Sequence, residues 1–307
     1  MADGVAVARR PRRMKQPAGD RSVLTVNYLV LAFFGIAVLY PLIYVVSASF
    51  SSAEAITSGA VKLFPVDANV DAYRTLWQSP AVVQGFLNSL LYSVSGAVLG
   101  TALTVLAGYP LSRPDLQGRR TLTVFLLVPA VFSAGIIPTY VVVQQLGMLN
   151  TRWAIILPGA MSVFNVIITR TFYQLNIPHE LLEASRVDGA NDFAFFLRVA
   201  LPLSKPIIAV NLLFYGIAQW NGWFSALIYL TDQHLFPLQL VLRDILIQNT
   251  VEPSQLGSQT AAQLVERQEL FNKLKYALIV VGMLPPLLVY PFVQKYFVKG
   301  ALIGSLK

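Results

Sequence analysis

Long apolar runs without charged residues divide this 307-residue chain into six segments of membrane-spanning length. The runs cover residues 23–50, 86–112, 121–151, 153–169, 206–231 and 276–294. The hydrocarbon core of a bilayer takes about 20 apolar residues in a helix, and a helix satisfies all its backbone groups internally. The pattern therefore predicts an all-α, polytopic membrane protein with six transmembrane helices.

Three of the runs contain features that should interrupt a helix or limit its length. The fourth run is the shortest, and Trp153 and Arg170 are its expected interfacial anchors. Prolines should kink or interrupt the third and sixth helices where neighbouring protein satisfies the freed backbone groups. These prolines are Pro129, Pro138, Pro285, Pro286 and Pro291.

The first 22 residues are basic, rich in Pro and Gly, and almost without large apolar side chains. Such a segment cannot bury enough apolar surface to become ordered, so we expect a disordered cytoplasmic tail. The run that follows is longer than the apolar part of a signal peptide, which is about 7 to 15 residues. We therefore expect an uncleaved first helix and one transmembrane domain over residues 23–307.

Composition supports a membrane location and excludes several kinds of chemistry. Hydrophobic residues make up 55% of the chain and charged residues 12%, which is too apolar for a soluble protein of this length. The net charge of +8 is concentrated in the tail and beside apolar runs, so topology explains it better than nucleic-acid binding. The chain has no cysteine, which excludes disulfides and thiolate chemistry.

Lys and Arg are unevenly distributed between alternate loops, and this asymmetry predicts the orientation. One side carries the basic tail together with Arg113, Arg119, Arg120, Arg170, Arg186, Arg198, Lys205, Lys295, Lys299 and Lys307. The other side has fewer basic residues although it contains the two longest loops, 51–85 and 232–275. The positive-inside rule places both termini in the cytoplasm. The outer loops could dock a partner or only cap the outer mouth.

Residues 178–206, PHELLEASRVDGANDFAFFLRVALPLSKP, are charged and amphipathic and lie between two apolar runs. Pro178 suits the start of a helix, and Gly189 can adopt the left-handed backbone that ends one. Asn191 can cap a second helix that runs into Leu201 and Pro202. The stretch, called the elbow below, is thus predicted to form a cytoplasmic helix-turn-helix.

The spacing within the elbow resembles the EAA signature of the membrane subunits of ATP-binding-cassette (ABC) importers. Glu183-Ala184-Ser185 is followed by Gly189 and then by Val199-Ala200-Leu201-Pro202, and Ser185 and Val199 depart from the signature only slightly. The segments LNTRWAIILPGA, LPLSKPIIAV and WNGWFSALIYL resemble the carbohydrate-uptake branch, and within it the permeases for oligosaccharides and polysaccharide fragments.

The resemblance implies a type I importer permease that is not itself an enzyme. Its partners would be separate ATPase subunits that bind ATP and Mg, a second related permease in a heterodimer, and an extracellular solute-binding protein that delivers an oligosaccharide. The location would be the plasma membrane of a prokaryote. The residues expected to couple to the ATPase are Leu182, Glu183, Ala184, Ser185, Asp188, Gly189, Leu201 and Pro202. Glu183 would meet a basic or hydrogen-bonding group of the ATPase, and Leu182 would help to fill a groove on it.

Other chemistry has little support in the sequence. His179-Glu180 begins a HExxH pattern, but Glu183 stands in place of the second His, so a metal site is not expected. The chain has no GxxxxGK[ST] loop, and its apolar runs lack mid-depth charges of the kind ion-coupled carriers use. A motor on another subunit is favoured. The alternative is a facilitator or channel that works without ATP.

Polar and aromatic residues recur at i+4 spacing along the fifth run. They are Asn211, Tyr215, Gln219 and Trp223, flanked by Trp220. Such a stripe could line the sugar pathway, because sugars present apolar CH faces and many hydroxyl groups. It could instead pack against neighbouring helices and hydrogen-bond to them. The resemblance to carbohydrate-uptake permeases favours the sugar pathway.

Overall fold

The computed structural model describes residues 18–132, 134–248, 271, 274–292 and 294, and these residues form helices and connecting segments without a β-strand. The predicted all-α fold is thereby confirmed for the described residues. In chain order the helices are α1 (Ala18–Ser49), α2 (Ala53–Thr57), α3 (Asp71–Gln78), α4 (Pro80–Ser112), α5 (Arg119–Val131), α6 (Ile136–Gln145), α7 (Trp153–Ile156), α8 (Val163–Asn176), α9 (His179–Val187), α10 (Asp192–Phe195), α11 (Leu201–Leu203), α12 (Lys205–Trp220), α13 (Phe224–Tyr229), α14 (Leu238–Gln248) and α15 (Leu274–Phe292).

Three continuous helices among the described residues are long and apolar enough to cross a membrane: Ser22–Ser49 within α1, α4 and α15. Two bent pairs also qualify if each is one span. One is α5 with α6, bent by 115°, and the other is Asp192–Leu203 with α12, bent by 74°. The described residues therefore support up to five spans by length and composition, and the predicted count of six remains a prediction.

The predicted fourth helix over 153–169 is wrong as a continuous element. Helix α7 ends at Ile156, and α8 begins only at Val163 and then continues to Asn176. Pro158 and Gly159 lie in the break, where proline removes a backbone donor and glycine lowers helix stability. Arg170, predicted as an interfacial anchor at the end of a span, instead lies within α8.

The predicted fifth helix over 206–231 is also broken. Helix α12 ends at Trp220, where the backbone N–H of Asn221 caps it by donating to the carbonyls of Ile217 and Gln219. A separate short helix, α13, follows. Asn and Gly at 221 and 222 favour this stop because neither is a good helix former.

Structure near the termini differs partly from the predictions. Helix α1 begins at Ala18, so the last residues of the stretch expected to be a disordered tail are helical. The rest of that stretch, residues 1–17, lies outside the described residues, as do the C-terminal residues 295–307.

The predicted interruption in the third run is present between α5 and α6, whereas α15 continues uninterrupted through Pro285 and Pro286.

Helix α4 is the centre of the packing, since it lies against α12, α8 and α14. Its glycines make these contacts close. A Cβ at Gly96 would lie 2.7 Å from the Gln219 side chain, and one at Gly108 would lie 2.9 Å from Thr169. Small residues that allow helix backbones to approach are typical of packing between membrane helices.

Part of the second predicted outer loop packs directly onto α4. The Asn88 side chain donates to the carbonyls of His234 and Phe236 at 2.7 and 3.0 Å, and Tyr92 Oη donates to Leu235 O at 2.8 Å. The backbone N–H of Leu238, the first residue of α14, donates to Ser89 Oγ at 2.8 Å. This segment therefore belongs to the core and is not a free loop.

Replacing Gly100 by Ala should destabilise the fold. The new Cβ would lie 2.9 Å from both the Tyr215 ring and the Ala160 carbonyl oxygen, and Tyr215 is held by hydrogen bonds to Thr104 and Ser162. Overpacking costs about 1–3 kcal/mol, which should outweigh the gain of about 1 kcal/mol from helix propensity. Thermal unfolding of the purified protein in detergent measures the effect.

Gly216→Ala is the matched control, because it adds the same group to the facing helix at an ordinary contact distance of 3.8 Å. The control should be at least as stable as the wild type. Equal stability of the two variants would contradict the packing described for α4 and α12.

Candidate functional site

The first helix of the elbow ends in a glycine turn, as the sequence predicts. Gly189 has a φ of +80°, its N–H donates to Arg186 O at 3.0 Å, and the N–H of Ala190 donates to Ser185 O at 2.9 Å. This pair of bonds is the Schellman arrangement for a helix C-terminus. Asn191 Oδ1 then accepts from the N–H of Ala194 at 2.7 Å and caps the second helix.

An aromatic cluster holds the elbow against the ends of α4 and α8. The ring centroid of Tyr109 lies 5.3 Å from that of Tyr173 and 4.8 Å from that of Phe196. These distances are typical of favourable aromatic pairs. Leu182 and Phe195 are buried in the same cluster. The elbow is thus packed onto the membrane helices on its inner face.

The position of Leu182 corrects one expectation. Its side chain is only 3% exposed, so it cannot fill a groove on a partner while the elbow keeps this conformation. The reason is the amphipathic pattern of α9, which turns its apolar face toward the aromatic cluster. Leu182 therefore supports the elbow from within.

The outer face of the elbow presents both charge and apolar surface. Val187 is 88% exposed and Phe193 68%, although both are apolar, and the Glu183 side chain is 66% exposed. Glu183 Oε1 lies 3.2 Å from His179 Nδ1 one turn earlier. Ala184, Asp188 and Gly189 are exposed beside them, and Ser185 is half-buried. We call residues 183–193 the elbow tip.

A network of charged side chains joins the elbow tip to the connection between α4 and α5. Asp115 Oδ2 lies 2.5 Å from Arg113 Nη2 and 3.2 Å from Arg186 Nη2. Asp192 Oδ1 bridges the same two arginines at 3.5 and 3.2 Å. Two cations and two anions thus alternate, which fixes α9 relative to the end of α4.

Within this network, Arg113 and Asp115 stabilise each other in their charged forms. The hydrogen bond from Arg113 holds the pKa of Asp115 well below its usual range, and the bond to Asp115 raises the pKa of Arg113. Because the folded-state pKa of Asp115 is depressed, its contribution to stability is present above the usual pKa of an aspartate. The contribution is lost only as the pH falls through the lowered value.

The second helix of the elbow meets α12 at Ser204. Ser204 is buried, and its Oγ lies 2.7 Å from Tyr173 Oη and 2.5 Å from Ala200 O, both hydrogen-bond distances. Leu201 and Pro202 form α11 just before the 74° bend at this serine. Leu201 packs against the aromatic cluster, whereas Pro202 is exposed. The motif therefore ends at a corner tied to α8.

Two members of the predicted sugar stripe are buried between helices. Asn211 is fully buried, and its Nδ2 donates to Thr169 Oγ1 at 2.8 Å. The Tyr215 hydroxyl lies 2.6 Å from Thr104 Oγ1 and accepts from the N–H of Ser162 at 2.9 Å. These contacts are those of the packing alternative.

The rest of the stripe does not continue along one helix. Gln219 is half-buried and its Nε2 donates to Ile155 O at 3.4 Å. Trp220 is buried and donates through Nε1 to Gly282 O at 2.7 Å. Trp223 lies beyond the last residue of α12, so the expected inclined stripe ends at Gln219.

Several residues that build this region were not predicted from the sequence. Tyr109, Tyr173 and Ser204 form its base, and Arg113 with Asp115 forms the charged connection. The arginine and aspartate flank Pro114 directly after an apolar run, which is a weak signal for a structured turn. No group of three or more His, Cys, Asp or Glu suited to a metal ion occurs in the described part of the chain.

The amphipathic elbow is thus fixed to one end of an apolar helical bundle. Residues 100–302 match the family model of the binding-protein-dependent transport system inner membrane component. This chain belongs to that family. It is a membrane-embedded transport subunit, and nucleotide is bound by a separate ATPase.

Relatives and solved structures cover nearly the whole chain. The polygalacturonan/rhamnogalacturonan transport system permease protein YtcP of Bacillus subtilis is 39% identical over 91% of this chain and 96% of its own length. The protein LplC of the same organism is 38% identical over 92% of this chain and 93% of its own length. A crystal structure of a bacterial ABC transporter for import of the acidic polysaccharide alginate matches with a TM-score of 0.82 and 33% identity, over 92% of this chain and 99% of that chain.

Replacing Gly189 by Val should impair coupling between ATP hydrolysis and uptake. Apart from Gly189 and its two chain neighbours, no residue has an atom within 4 Å of the added Cβ, so the cost is backbone strain at a φ of +80° rather than a clash. A left-handed L-residue costs about 1–2 kcal/mol, and a β-branched one more. Gly189→Ala should be milder. Uptake per ATP hydrolysed, measured in proteoliposomes containing the complete complex, is expected to fall while membrane insertion is unchanged.

Gly59→Val is the matched control, because Gly59 also has a positive φ of +71° and open space at its Cβ but lies outside the elbow. It should carry a similar strain without loss of coupling. Normal coupling in Gly189→Val would show that the turn is only a replaceable helix end.

Proposed function

We propose that this chain is the membrane-spanning permease of an ATP-driven importer that takes up an oligosaccharide or other carbohydrate. The observation that carries the proposal is the elbow, whose inner face is packed onto α4 and α8 while its tip exposes Val187 and Phe193. The carbohydrate class is supported by the relatives, which include a polygalacturonan/rhamnogalacturonan permease and an alginate importer.

In the proposed orientation, both termini and the elbow lie in the cytoplasm of a prokaryotic cell. The chain then crosses the membrane six times. The basic residues of the elbow network support this arrangement, because Arg113 and Arg186 lie at one end of the bundle. The segment around His234 and α14 then lies at the outer end of α4. A solute-binding protein would deliver the sugar on that side.

The ATPase docks on the elbow tip. Val187 and Phe193 provide apolar contact area, Glu183 provides a charge for a basic or hydrogen-bonding group, and Ala184 and Asp188 lie beside them. Ser185 and Gly189 shape the end of α9, Leu182 and Leu201 support the tip from behind, and Pro202 lies in the short helix before the corner at Ser204. Force applied at the tip reaches α8 and α12 through the corner at Ser204.

A second, related permease completes the membrane part of the complex as a heterodimer. Large parts of α5, α6 and α15 are exposed and apolar in the single chain, including Phe125, Ile137 and Phe292. Lipid and a partner permease are the two surroundings that suit such surfaces. Of the predicted sugar stripe, Gln219 and Trp223 retain exposed surface and remain proposed contacts of the pathway.

Replacing Glu183 by Lys, or Val187 by Asp, should weaken association with the ATPase. The first change reverses a charge at the tip, and the second places a carboxylate where apolar area is buried. We expect at least about a tenfold loss of affinity, equivalent to about 1.4 kcal/mol. Co-purification of the ATPase with the tagged permease from native membranes, and substrate-stimulated ATP hydrolysis, both measure the effect.

Glu54→Lys is the control, because Glu54 is an exposed carboxylate on α2, at the other end of the bundle in the proposed orientation. It should leave ATPase association unchanged. If both elbow variants retain the ATPase and transport normally, the tip is not the docking surface.

A further inference from the structure

A cavity of about 550 Å³ lies between the end of α12, α14 and α15. Its polar and aromatic lining consists of Asn221, Trp223, Gln239 and Arg243, and Gly282 and Met283 belong to its apolar wall. In the proposed orientation this cavity is in the outer part of the molecule. Most of its wall is apolar and includes Leu242, Leu246, Ile247 and Ile279, and Arg243 is the basic side chain among its lining residues.

The guanidinium of Arg243 is held by the indole of Trp223. Arg243 Cζ lies 5.1 Å from the centroid of the Trp223 ring, within the range of a cation–π contact. The ring face attracts the cation but does not accept its in-plane N–H groups. Trp223 can therefore position the charge without occupying the donors that a carboxylate would use.

One carboxylate competes for Arg243, but through a single contact. Among the described residues, the ion pair of Arg243 is with Asp244, at 3.3 Å between Nη1 and Oδ1. A guanidinium has five N–H donors, so this geometry leaves others for a second carboxylate. The Arg243 side chain is 35% exposed, which keeps it accessible from the cavity.

We propose that this cavity binds the carboxylate of an acidic sugar unit, so that the transported carbohydrate is a uronate-containing oligosaccharide. Arg243 binds the carboxylate, Trp223 positions Arg243, and the amides of Asn221 and Gln239 bind neighbouring hydroxyl groups. Planar, bidentate recognition of a carboxylate is the interaction for which arginine is better suited than lysine. The inference rests on the proposed function and specifies its substrate class.

A side chain of a partner protein could supply a carboxylate of the same chemistry. The two sources differ in one respect. Binding of a sugar carboxylate makes transport depend on the charge of the sugar, whereas an interface contact affects assembly of the complex with every substrate.

The test measures uptake by proteoliposomes containing the complete complex, with a saturating amount of loaded binding protein. The probes are oligogalacturonate and an alginate oligosaccharide, each also supplied as its methyl ester, which keeps the hydroxyl groups but removes the charge. The readout is the ratio of acid to ester uptake in each variant relative to wild type. Since the binding protein is the same in all samples, its own preference cancels.

Arg243→Gln should lower this ratio at least about tenfold, the size expected when hydrogen bonds to a charged group are lost. Arg243→Lys should recover only part of it, because the charge remains without the planar fork. Trp223→Leu should lower the ratio and Trp223→Phe should largely restore it. Asp244→Asn should raise it, because the competing carboxylate is removed. Arg74→Gln removes an exposed arginine elsewhere and should change nothing.

An unchanged ratio in both Arg243 variants, or loss of assembly irrespective of substrate charge, would overturn the inference. Import of neutral oligosaccharides alone by the wild-type complex would also overturn it while leaving the proposed function intact. Failure of the reconstituted complex to import any oligosaccharide would instead refute the proposed function, and the inference with it.

Discussion

Close packing of one helix against its neighbours is the constraint on which the rest of this molecule depends. Helix α4 has glycines where α12 and α8 approach, and even a Cβ at Gly96 or Gly108 would clash with Gln219 or Thr169. The same helix binds the outer segment through Asn88 at one end and the elbow through Tyr109 at the other. One rigid element therefore connects the two surfaces at which partners are proposed to act.

The elbow is fixed to this helix in two chemically different ways. The aromatic cluster around Tyr173 excludes water and depends on shape, whereas the bridges of Asp115 and Asp192 to Arg113 and Arg186 depend on charge and lie at the surface. Exposed ion pairs contribute little individually, so the cluster should provide most of the stability and the network most of the orientation. A movement of the tip must then displace the ends of α4 and α8.

Sequence reasoning succeeded where the signal was local. The turn at Gly189 and the cap at Asn191 follow from residue type, and the helical, membrane-embedded class follows from hydrophobic runs. It failed where distant contacts decide. Leu182 was expected outside because periodicity does not say which partner covers an apolar face, and the i+4 spacing that linked Trp223 to α12 ignored the stop at Asn221.

Cross-linking at the elbow tip tests most directly whether the ATPase acts there. The chain has no cysteine, so Val187→Cys creates a unique thiol at a residue that is 88% exposed, and Glu54→Cys is the matched variant outside the elbow. Membranes containing the complete complex would be treated with a short thiol-to-amine cross-linker and analysed for adducts with the ATPase subunit. An adduct is expected from position 187 and none from position 54. The absence of an adduct from position 187, or an adduct from position 54 alone, would contradict docking of the ATPase at the elbow tip.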